Sequence, residues 1–331
     1  MLGTMDYTHL GRTGTSVSRI VLGTMNFGDR TTEEDSFAIL DRALELGINF
    51  IDTANGYGGS GGRGATEEII GRWLKARPGV RDGIILATKV HSPMVDPDAN
   101  GTDQVNARGA GAWQVRREAI GSLKRLQTDR IDLYQFHHID RHISWAELWQ
   151  AMEVLVAKGE VVYAGSSNFA AWNIAQANEI AQNRNFLGLV SEQSLYNLVQ
   201  RSIELEVIPA AQNYGMGVIP WSPLAGGLLS GVSSDAKARS ASLTGARAKR
   251  QEQLDAYDTF AKERGWSPSA LGLAWLLHQP GVTGPIIGPR TVEQLESAVS
   301  ALDIHLSADD LAGLDELFPG PGGQAPEAYA W

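Results

Sequence analysis

Short apolar runs alternate with amphipathic segments along almost the whole chain. Eight of these runs are rich in Val and Ile and apolar on both faces, which is typical of parallel strands covered by helices. They span 19–24, 48–54, 83–89, 130–137, 161–167, 189–193, 217–222 and 283–288. Between the runs, apolar residues recur at helical spacing, as at Trp145, Leu148, Met152 and Leu155.

Eight such alternations predict an α/β protein with a closed (β/α)8 TIM barrel. We expect one barrel domain over residues 1–331, with an N-terminal hairpin before the first barrel strand. A doubly wound open sheet is the competing fold. The barrel is favoured because the strand count is eight and no second domain shows in the composition. Ser267 followed by Pro268 predicts the start of a late helix.

Three segments do not follow this alternation of strands and helices. Residues 91–113 form a long polar stretch after the third strand, and residues 230–250 form a basic stretch of small residues after the seventh. In a barrel both follow strand ends, so we expect long loops over the C-terminal face. The tail 319–331 is rich in Gly and Pro at its start, and is expected on the barrel rim, at a subunit contact, or frayed.

Composition narrows the possible partners. The chain has 331 residues, 43% of them hydrophobic, and a formal charge of -10 without a Lys/Arg run, so nucleic acid is not expected to bind. The absence of cysteine excludes disulfides, thiolate metal sites and a Cys nucleophile. No apolar run approaches the ~18 residues of a membrane span, and no signal peptide is evident. We therefore expect a cytoplasmic protein without a membrane partner; no pattern indicates an oligomeric state.

Four polar side chains lie at or just after three consecutive predicted strands. Asp52 follows the second strand's apolar run, Lys89 ends the third and His137 ends the fourth, while Tyr57 lies in a glycine-rich loop five residues after Asp52. If these strands are parallel neighbours, the four groups meet in one pocket. The sequence thus predicts a carboxylate, a phenol, an ammonium and an imidazole in one place.

These four groups suit the reduction of a carbonyl, which needs a hydride donor and an acid for the forming alkoxide. Tyrosine is a weak acid at neutral pH, with an unperturbed pKa of about 10, but a nearby ammonium stabilises the phenolate. Lys89 can supply that charge and Asp52 can hold Lys89 by ion pairing. His137 can donate a hydrogen bond to the carbonyl and polarise it.

Motifs over residues 6–318 make the chain resemble the aldo-keto reductases. The stretches that carry the resemblance are LGTMNFG (22–28), FIDTANGYG (50–58), ATKV (87–90), DLYQFHHID (132–140), YAGSSNF (163–169), EQSLYN (192–197), IPWSPLAGGLLSG (219–231) and IIGPRTVEQLESA (286–298). The resemblance implies Tyr57 as general acid, Asp52 and Lys89 as the residues that tune it, and His137 as the residue that orients the carbonyl.

The resemblance also implies a binding site for NADP(H). Ser167, Asn168 and Gln193 would hold the nicotinamide carboxamide, with Trp221 stacked on the ring. The backbone of one turn would wrap the pyrophosphate, and other residues would line the cofactor near the first and second strands or bind the adenosine end. These further positions are Gly23, Thr24, Met25, Asp52, Ser222, Leu224, Gly226, Leu228, Gly288, Arg290 and Gln294. Members often carry Asn where Ala298 stands, which removes one expected adenine contact.

Arg290 indicates which nucleotide is expected. A guanidinium can grip a 2′-phosphate with two hydrogen bonds, which a 2′-hydroxyl cannot use. We therefore expect NADPH. The substrate is expected to be a small-molecule carbonyl, and the polar 91–113 stretch favours a sugar or sugar derivative. Members that reduce carbon–carbon double bonds can carry Glu where His137 stands, so His137 favours carbonyl reduction.

Three other functions fit parts of the sequence. Residues 56–61 match GxGxxG, the dinucleotide fingerprint, but they follow the second strand and do not lead directly into a helix. His137, His138, Asp140 and His142 could suit a metal-dependent hydrolase on a barrel, although side chains of adjacent strand residues should point in opposite directions. The third is a regulatory subunit that carries the cofactor and turns over slowly; no metal ion is expected.

Overall fold

The computed structural model describes residues 5–95, 104–231 and 241–330. Eight parallel strands form one curled sheet, in the order β10-β3-β4-β5-β6-β7-β8-β9, and β1 and β2 form a separate antiparallel hairpin. The strands are β1 Tyr7–His9, β2 Ser16–Ser18, β3 Val21–Gly23, β4 Phe50–Asp52, β5 Ile85–Val90, β6 Ile131–Phe136, β7 Val161–Ser167, β8 Leu189–Gln193, β9 Gly217–Val218 and β10 Ile286–Ile287.

Helices follow the strands and pack around the sheet. They are α1 Glu33–Glu45, α2 Ala65–Lys75, α3 Ala112–Leu126, α4 Trp145–Ala157, α5 Ala171–Asn183, α6 Val207–Asn213, α7 Ala241–Ala248, α8 Gln251–Glu263, α9 Pro268–His278, α10 Val292–Val299, α11 Ala308–Leu317 and α12 Glu327–Ala330. The predicted start of α9 is confirmed, because Ser267 Oγ accepts a hydrogen bond from the Ala270 amide at 3.2 Å. None of the helices in the described ranges is long and apolar enough to cross a membrane.

The sheet closes into the predicted (β/α)8 barrel. Hydrogen bonds of 2.8 Å run from the Thr283 amide to Val218 O and from the Ile286 amide to Pro220 O, so the segment entering β10 joins β9. All eight predicted strands are present, but the last two span only two residues each. Proline lacks an amide hydrogen and cannot donate to a ladder, so β9 ends before Pro220 and β10 begins after Pro285.

The N-terminal hairpin closes the end of the barrel opposite the site. Leu10, next to β1, and Val17 of β2 are fully buried. They pack against strand residues inside the barrel, among them Phe50 and Leu133. With this end filled by apolar side chains, the interior positions at the carboxyl ends of the strands are the ones left for polar chemistry.

The predicted long loops are replaced in part by ordered structure. Residues 96–103 of the 91–113 stretch and residues 232–240 of the 230–250 stretch lie outside the described residues. Residues 241–248 form α7, so that second stretch is not a loop throughout, in keeping with the helix-forming Ala and Arg it contains. The tail lies against the loop after β8, where the Ala325 amide donates to Leu205 O at 2.9 Å.

Candidate active site

Asp52 and Lys89 form a buried ion pair at the centre of the site. Asp52 ends β4 and Lys89 is the penultimate residue of the neighbouring β5. Lys89 Nζ lies 2.5 Å from Asp52 Oδ2, 2.9 Å from Thr53 O and 3.2 Å from the Tyr57 hydroxyl. Burial by itself lowers the pKa of Lys89, but the Asp52 carboxylate and the Tyr57 oxygen outweigh it, so this pKa lies above its ordinary value.

Tyr57 reaches Lys89 from a loop that glycine geometry shapes. The Tyr57 carbonyl accepts the Gly64 amide at 3.0 Å, which fixes the residue at the base of the loop. Gly58 has φ 145°, and a Cβ there would lie 2.0 Å from Gly62 O, so no other residue fits. A short 3-10 helix at 59–61 follows, and α2 begins only at Ala65. The glycines of the GxGxxG match therefore allow the tight turns of this loop, which is the second βα loop of a barrel.

His137 stands beside Tyr57. Its amide donates to Val90 O at 3.0 Å, and its ring meets the Tyr57 ring edge-on at 5.8 Å with an interplanar angle of 79°. Burial first, and then the charge of Lys89, lowers the pKa of His137 to about 3. The imidazole is therefore neutral at physiological pH. Its Nδ1 is buried and has no hydrogen-bond partner among the described residues, and a ring proton on Nε2 would make Nε2 a hydrogen-bond donor.

His137 and His138 would point in opposite directions only if strand geometry continued through them, and it does not. Their rings are parallel within 2° and 4.9 Å apart, because β6 ends at Phe136 and strand alternation ends with it. His91 meets His138 edge-on at 5.1 Å. Despite this histidine cluster, the described residues contain no group of three or more His, Asp or Glu side chains placed to hold a metal ion. The geometry of the described residues does not support the metal-dependent hydrolase hypothesis.

Gln135 joins the site although it is not among the expected site residues. Its amide nitrogen donates to Asp52 Oδ1 at 2.9 Å, and its amide oxygen accepts from Gln193 Nε2 at 3.1 Å. Gly165 leaves room for it, since a Cβ there would lie 3.1 Å from Gln135 Cγ. The available signal was its position two residues before His137, on the interior side of β6. Gln135 thus connects the acid–base residues to Gln193.

Three of the expected nicotinamide-binding residues meet at the ends of β7 and β8. Ser167 Oγ donates to Gln193 O at 2.9 Å, and Asn168 Nδ2 donates to Ser167 Oγ at 2.9 Å. Trp221 joins them by donating from Nε1 to Asn168 Oδ1 at 2.9 Å. Gln193 uses its amide N–H groups on Asp52 and Gln135, while its amide oxygen accepts nothing within the described ranges. That free acceptor suits the N–H group of a carboxamide.

The expected pyrophosphate-binding turn has a backbone unusual for its residues. Ser222 and Ala225 have φ 53° and 51°, and Gly226 has φ 66°. Successive amides in such conformations can form an anion-binding nest. The Gly226 amide donates to Ser222 Oγ at 3.1 Å. Leu224 and Leu228, the other two expected residues, flank this bend.

The expected adenosine-end residues lie together beyond β10. Gly288 O accepts from Asn26 Nδ2 at 2.9 Å, which ties β10 to the loop after β3. The Arg290 amide donates to Gln294 Oε1 at 2.9 Å. The Arg290 side chain is exposed and has no acidic partner in the part of the chain that the structure describes. A guanidinium in that state is available to an anionic ligand.

The remaining expected cofactor residues follow β3, next to Asp52. Thr24 donates to Asp52 O from its amide at 3.1 Å and from its hydroxyl at 3.0 Å. Met25 is 61% exposed, so its side chain is accessible to a ligand. Gly23 permits the close approach of β10, because a Cβ there would lie 2.5 Å from Ile286 Cγ2. All the expected site residues therefore lie at the C-terminal end of the barrel.

Comparison with known proteins settles the family. The sequence profile of the Aldo/keto reductase family matches residues 19–318. The chain belongs to the aldo/keto reductase family. It is 50% identical over 329 residues to an uncharacterized oxidoreductase, YrpG, of Bacillus subtilis, covering 99% of this chain and 100% of that one. The resemblance inferred from the motifs is thereby confirmed, and with it an oxidoreductase activity of this family's kind.

Two further relatives bear on the activity. Norsolorinic acid reductase stcV of Emericella nidulans is 34% identical, over 92% of this chain and 79% of that protein. A putative aryl-alcohol dehydrogenase of Schizosaccharomyces pombe is 31% identical, over 94% of this chain and 95% of that protein. Reductases and dehydrogenases thus both occur among the aldo/keto reductases similar to this chain.

Proposed function

We propose that this aldo/keto reductase reduces a carbonyl to an alcohol with NADPH, and that Tyr57 is its general acid. The observation that carries the proposal is the position of the Lys89 ammonium, which contacts Asp52 and the Tyr57 hydroxyl at 2.5 and 3.2 Å. A buried cation held against a phenol stabilises the phenolate that remains after proton donation. The neutral His137 ring beside it supplies a donor for the carbonyl oxygen.

The chemistry divides among four side chains. NADPH, when bound, would supply the hydride that adds to the carbonyl carbon. His137 Nε2–H orients the carbonyl oxygen, and Tyr57 transfers its hydroxyl proton to that oxygen as negative charge develops there. Lys89 then stabilises the phenolate. Asp52 keeps Lys89 in place through Oδ2. The side-chain amides of Gln135 and Gln193 donate to the other carboxylate oxygen of Asp52, Oδ1.

A single-turnover experiment tests this function. We expect NADPH bound to the protein to be oxidised when a reactive aldehyde is mixed in by stopped flow, in the presence of a chelator as well as in its absence. Cofactor that binds but is not oxidised would favour the slow-turnover regulatory subunit. Loss of activity on chelation would instead favour metal-dependent chemistry.

Arg290→Ala should weaken NADPH binding roughly 10-fold or more and leave NADH binding almost unchanged. The exposed guanidinium can bind the 2′-phosphate that only NADPH carries. Fluorescence titration of each reduced cofactor measures both dissociation constants. Arg184→Ala, which removes an arginine paired with Glu153 on the barrel's outer surface, is the matched control and should change neither. Equal weakening of the two cofactors would overturn the NADPH assignment.

The substrate class is proposed to be an aryl aldehyde or ketone. The aryl-alcohol dehydrogenase among the relatives supports this class. Trp113 and Trp172 support it too, because they are 59% and 56% exposed and lie in the first turn of the helices that follow β5 and β7, on the catalytic side. The polar 91–113 stretch supports the sugar alternative, but its residues 96–103 lie outside the described ranges.

A substrate panel distinguishes these classes. We expect kcat/KM for substituted benzaldehydes to exceed that for aldoses by about 10-fold or more, as one extra apolar contact can supply. The measurement is NADPH oxidation at matched cofactor concentration. A preference for aldoses or keto-sugars would support the sugar alternative, and equal weak activity on every class would contradict both.

A further inference from the structure

Glu192 is a buried carboxyl group that the proposed mechanism does not use. It lies in β8 beside Gln193, is 0% exposed, and forms no ion pair within the described ranges. Strand alternation places Gln193 inside the barrel and Glu192 on the opposite side, toward the helices. A carboxyl in such a position needs hydrogen bonds to remain charged, because burial penalises its ionised form.

Donors from both neighbouring strand ends surround this carboxyl. Ser166 Oγ lies 2.5 Å from Oε2, whereas the Phe169 amide at 3.1 Å and Ser194 Oγ at 2.7 Å both donate to Oε1. The Asn168 amide, between these donors, donates to Gln193 O at 3.1 Å. Each of these partners is a neutral hydroxyl or backbone amide.

These partners are the residues that flank the expected nicotinamide site. Ser167 and Asn168 lie between Ser166 and Phe169, so the carboxylate holds both ends of that short segment. Gln193 lies between Glu192 and Ser194, so the hydrogen bond from Ser194 Oγ to the Glu192 carboxylate spans it. Asn168 has φ 61°, a conformation that costs free energy for a residue other than glycine unless its surroundings hold it.

We propose that Glu192 is the positioning residue for the cofactor clamp, defined here as Ser167, Asn168 and Gln193, and that tight cofactor binding requires its carboxylate form. This inference rests on the proposed function, since it takes these three residues to hold the nicotinamide. Hydrogen bonds to a carboxylate are roughly twice as strong as those to a neutral acceptor. Protonation therefore loosens both segments at once without removing any residue that touches the cofactor.

Protonation of Glu192 falls within an accessible pH range. Burial raises the pKa of Glu192 to about 6, against the opposing effect of its hydrogen-bond donors. Ser166 Oγ can also donate to Ser191 O at 3.3 Å, so a proton on Oε2 can be accommodated. The acid form therefore keeps a partner for Oε2 but has weaker hydrogen bonds to both segments. If only the carboxylate form binds well, the apparent dissociation constant at pH 5 rises about 10-fold over its value at pH 8.

The experiment is a pH series of cofactor binding to the full chain, measured by quenching of tryptophan fluorescence between pH 5 and pH 8. NADH is the primary probe, because the 2′-phosphate of NADPH is a phosphate monoester that itself titrates near pH 6. For the wild type we expect the dissociation constant for NADH to rise about 10-fold on acidification. Glu192→Gln mimics the acid form, so it should bind weakly at pH 8 and show little further change at pH 5.

Two controls make the outcomes distinct. Glu153→Gln removes a partly exposed carboxylate on α4, away from the site, and should reproduce the wild-type series. Ser194→Ala removes one donor to Oε1 and should move the midpoint of the series to higher pH. A wild-type series that is flat, or a Glu192→Gln series that follows the wild type, would overturn the inference while leaving the proposed function standing. Failure of the wild type to bind either cofactor at pH 8 would overturn both.

Discussion

Tyr57→Phe should lower kcat for NADPH-dependent carbonyl reduction by roughly 10²- to 10⁴-fold, the range that a general acid contributes. The substitution removes one oxygen and keeps the ring that packs edge-on against His137. NADPH should bind within about twofold of the wild-type affinity, because the clamp residues do not contact the Tyr57 hydroxyl. The measurements are single-turnover NADPH oxidation and a fluorescence titration of the same preparation.

Tyr214→Phe is the matched control for this variant. Tyr214 lies at the C-terminal end of α6, where its hydroxyl donates to Glu179 at 2.9 Å on the surface. Its loss should leave the rate unchanged. A Tyr57→Phe protein that retains a tenth or more of the wild-type rate would mean that another group protonates the carbonyl. A Tyr57→Phe protein that fails to bind NADPH would mean that Tyr57 contributes to cofactor binding rather than to proton transfer.

Strand periodicity was enough to predict the centre of the site. The periodicity places Asp52, Lys89 and His137 at the ends of consecutive strands, and parallel neighbouring strands bring their carboxyl ends to one edge of the sheet. The structure places Lys89 against both Asp52 and Tyr57, and His137 against Tyr57. Tyr57 could be anticipated from its loop, although the glycines around it resembled a dinucleotide fingerprint. The loop requires these glycines for steric reasons, since a side chain at Gly58 would clash with the Gly62 carbonyl.

The parts that the sequence does not predict depend on side-chain contacts between strands and on where a strand ends. Gln135 reaches Asp52 from two strands away, and Glu192 accepts from Ser166 on the adjacent strand; no local pattern marks either pair. The stacking of His138 on His137 depends on where β6 ends, which periodicity fixes only to within a few residues. The shortened β9 and β10 could have been foreseen, because Pro220 and Pro285 are visible in the sequence.

Asp52→Asn should destabilise the fold by about 3–5 kcal/mol as well as impair catalysis, because it leaves the Lys89 ammonium buried without its counter-charge. Lys89 would keep only neutral partners, among them Thr53 O and the Tyr57 hydroxyl. Lys89→Met should cost less, since the Asp52 carboxylate would still accept hydrogen bonds from Gln135 and Gln193 at 2.9 Å each. Equilibrium urea unfolding measures both free energies of unfolding.

The double variant Asp52→Asn/Lys89→Met separates stability from catalysis. With both charges gone, neither is left unpaired, so the double variant should be more stable than Asp52→Asn alone, and the two effects should be clearly non-additive. Its rate of carbonyl reduction should nevertheless stay at least about 100-fold below the wild type, because no cation remains to stabilise the Tyr57 phenolate. Recovery of activity together with stability would show that the pair serves the fold alone. Recovery of stability without activity is the result that assigns Lys89 to the chemistry.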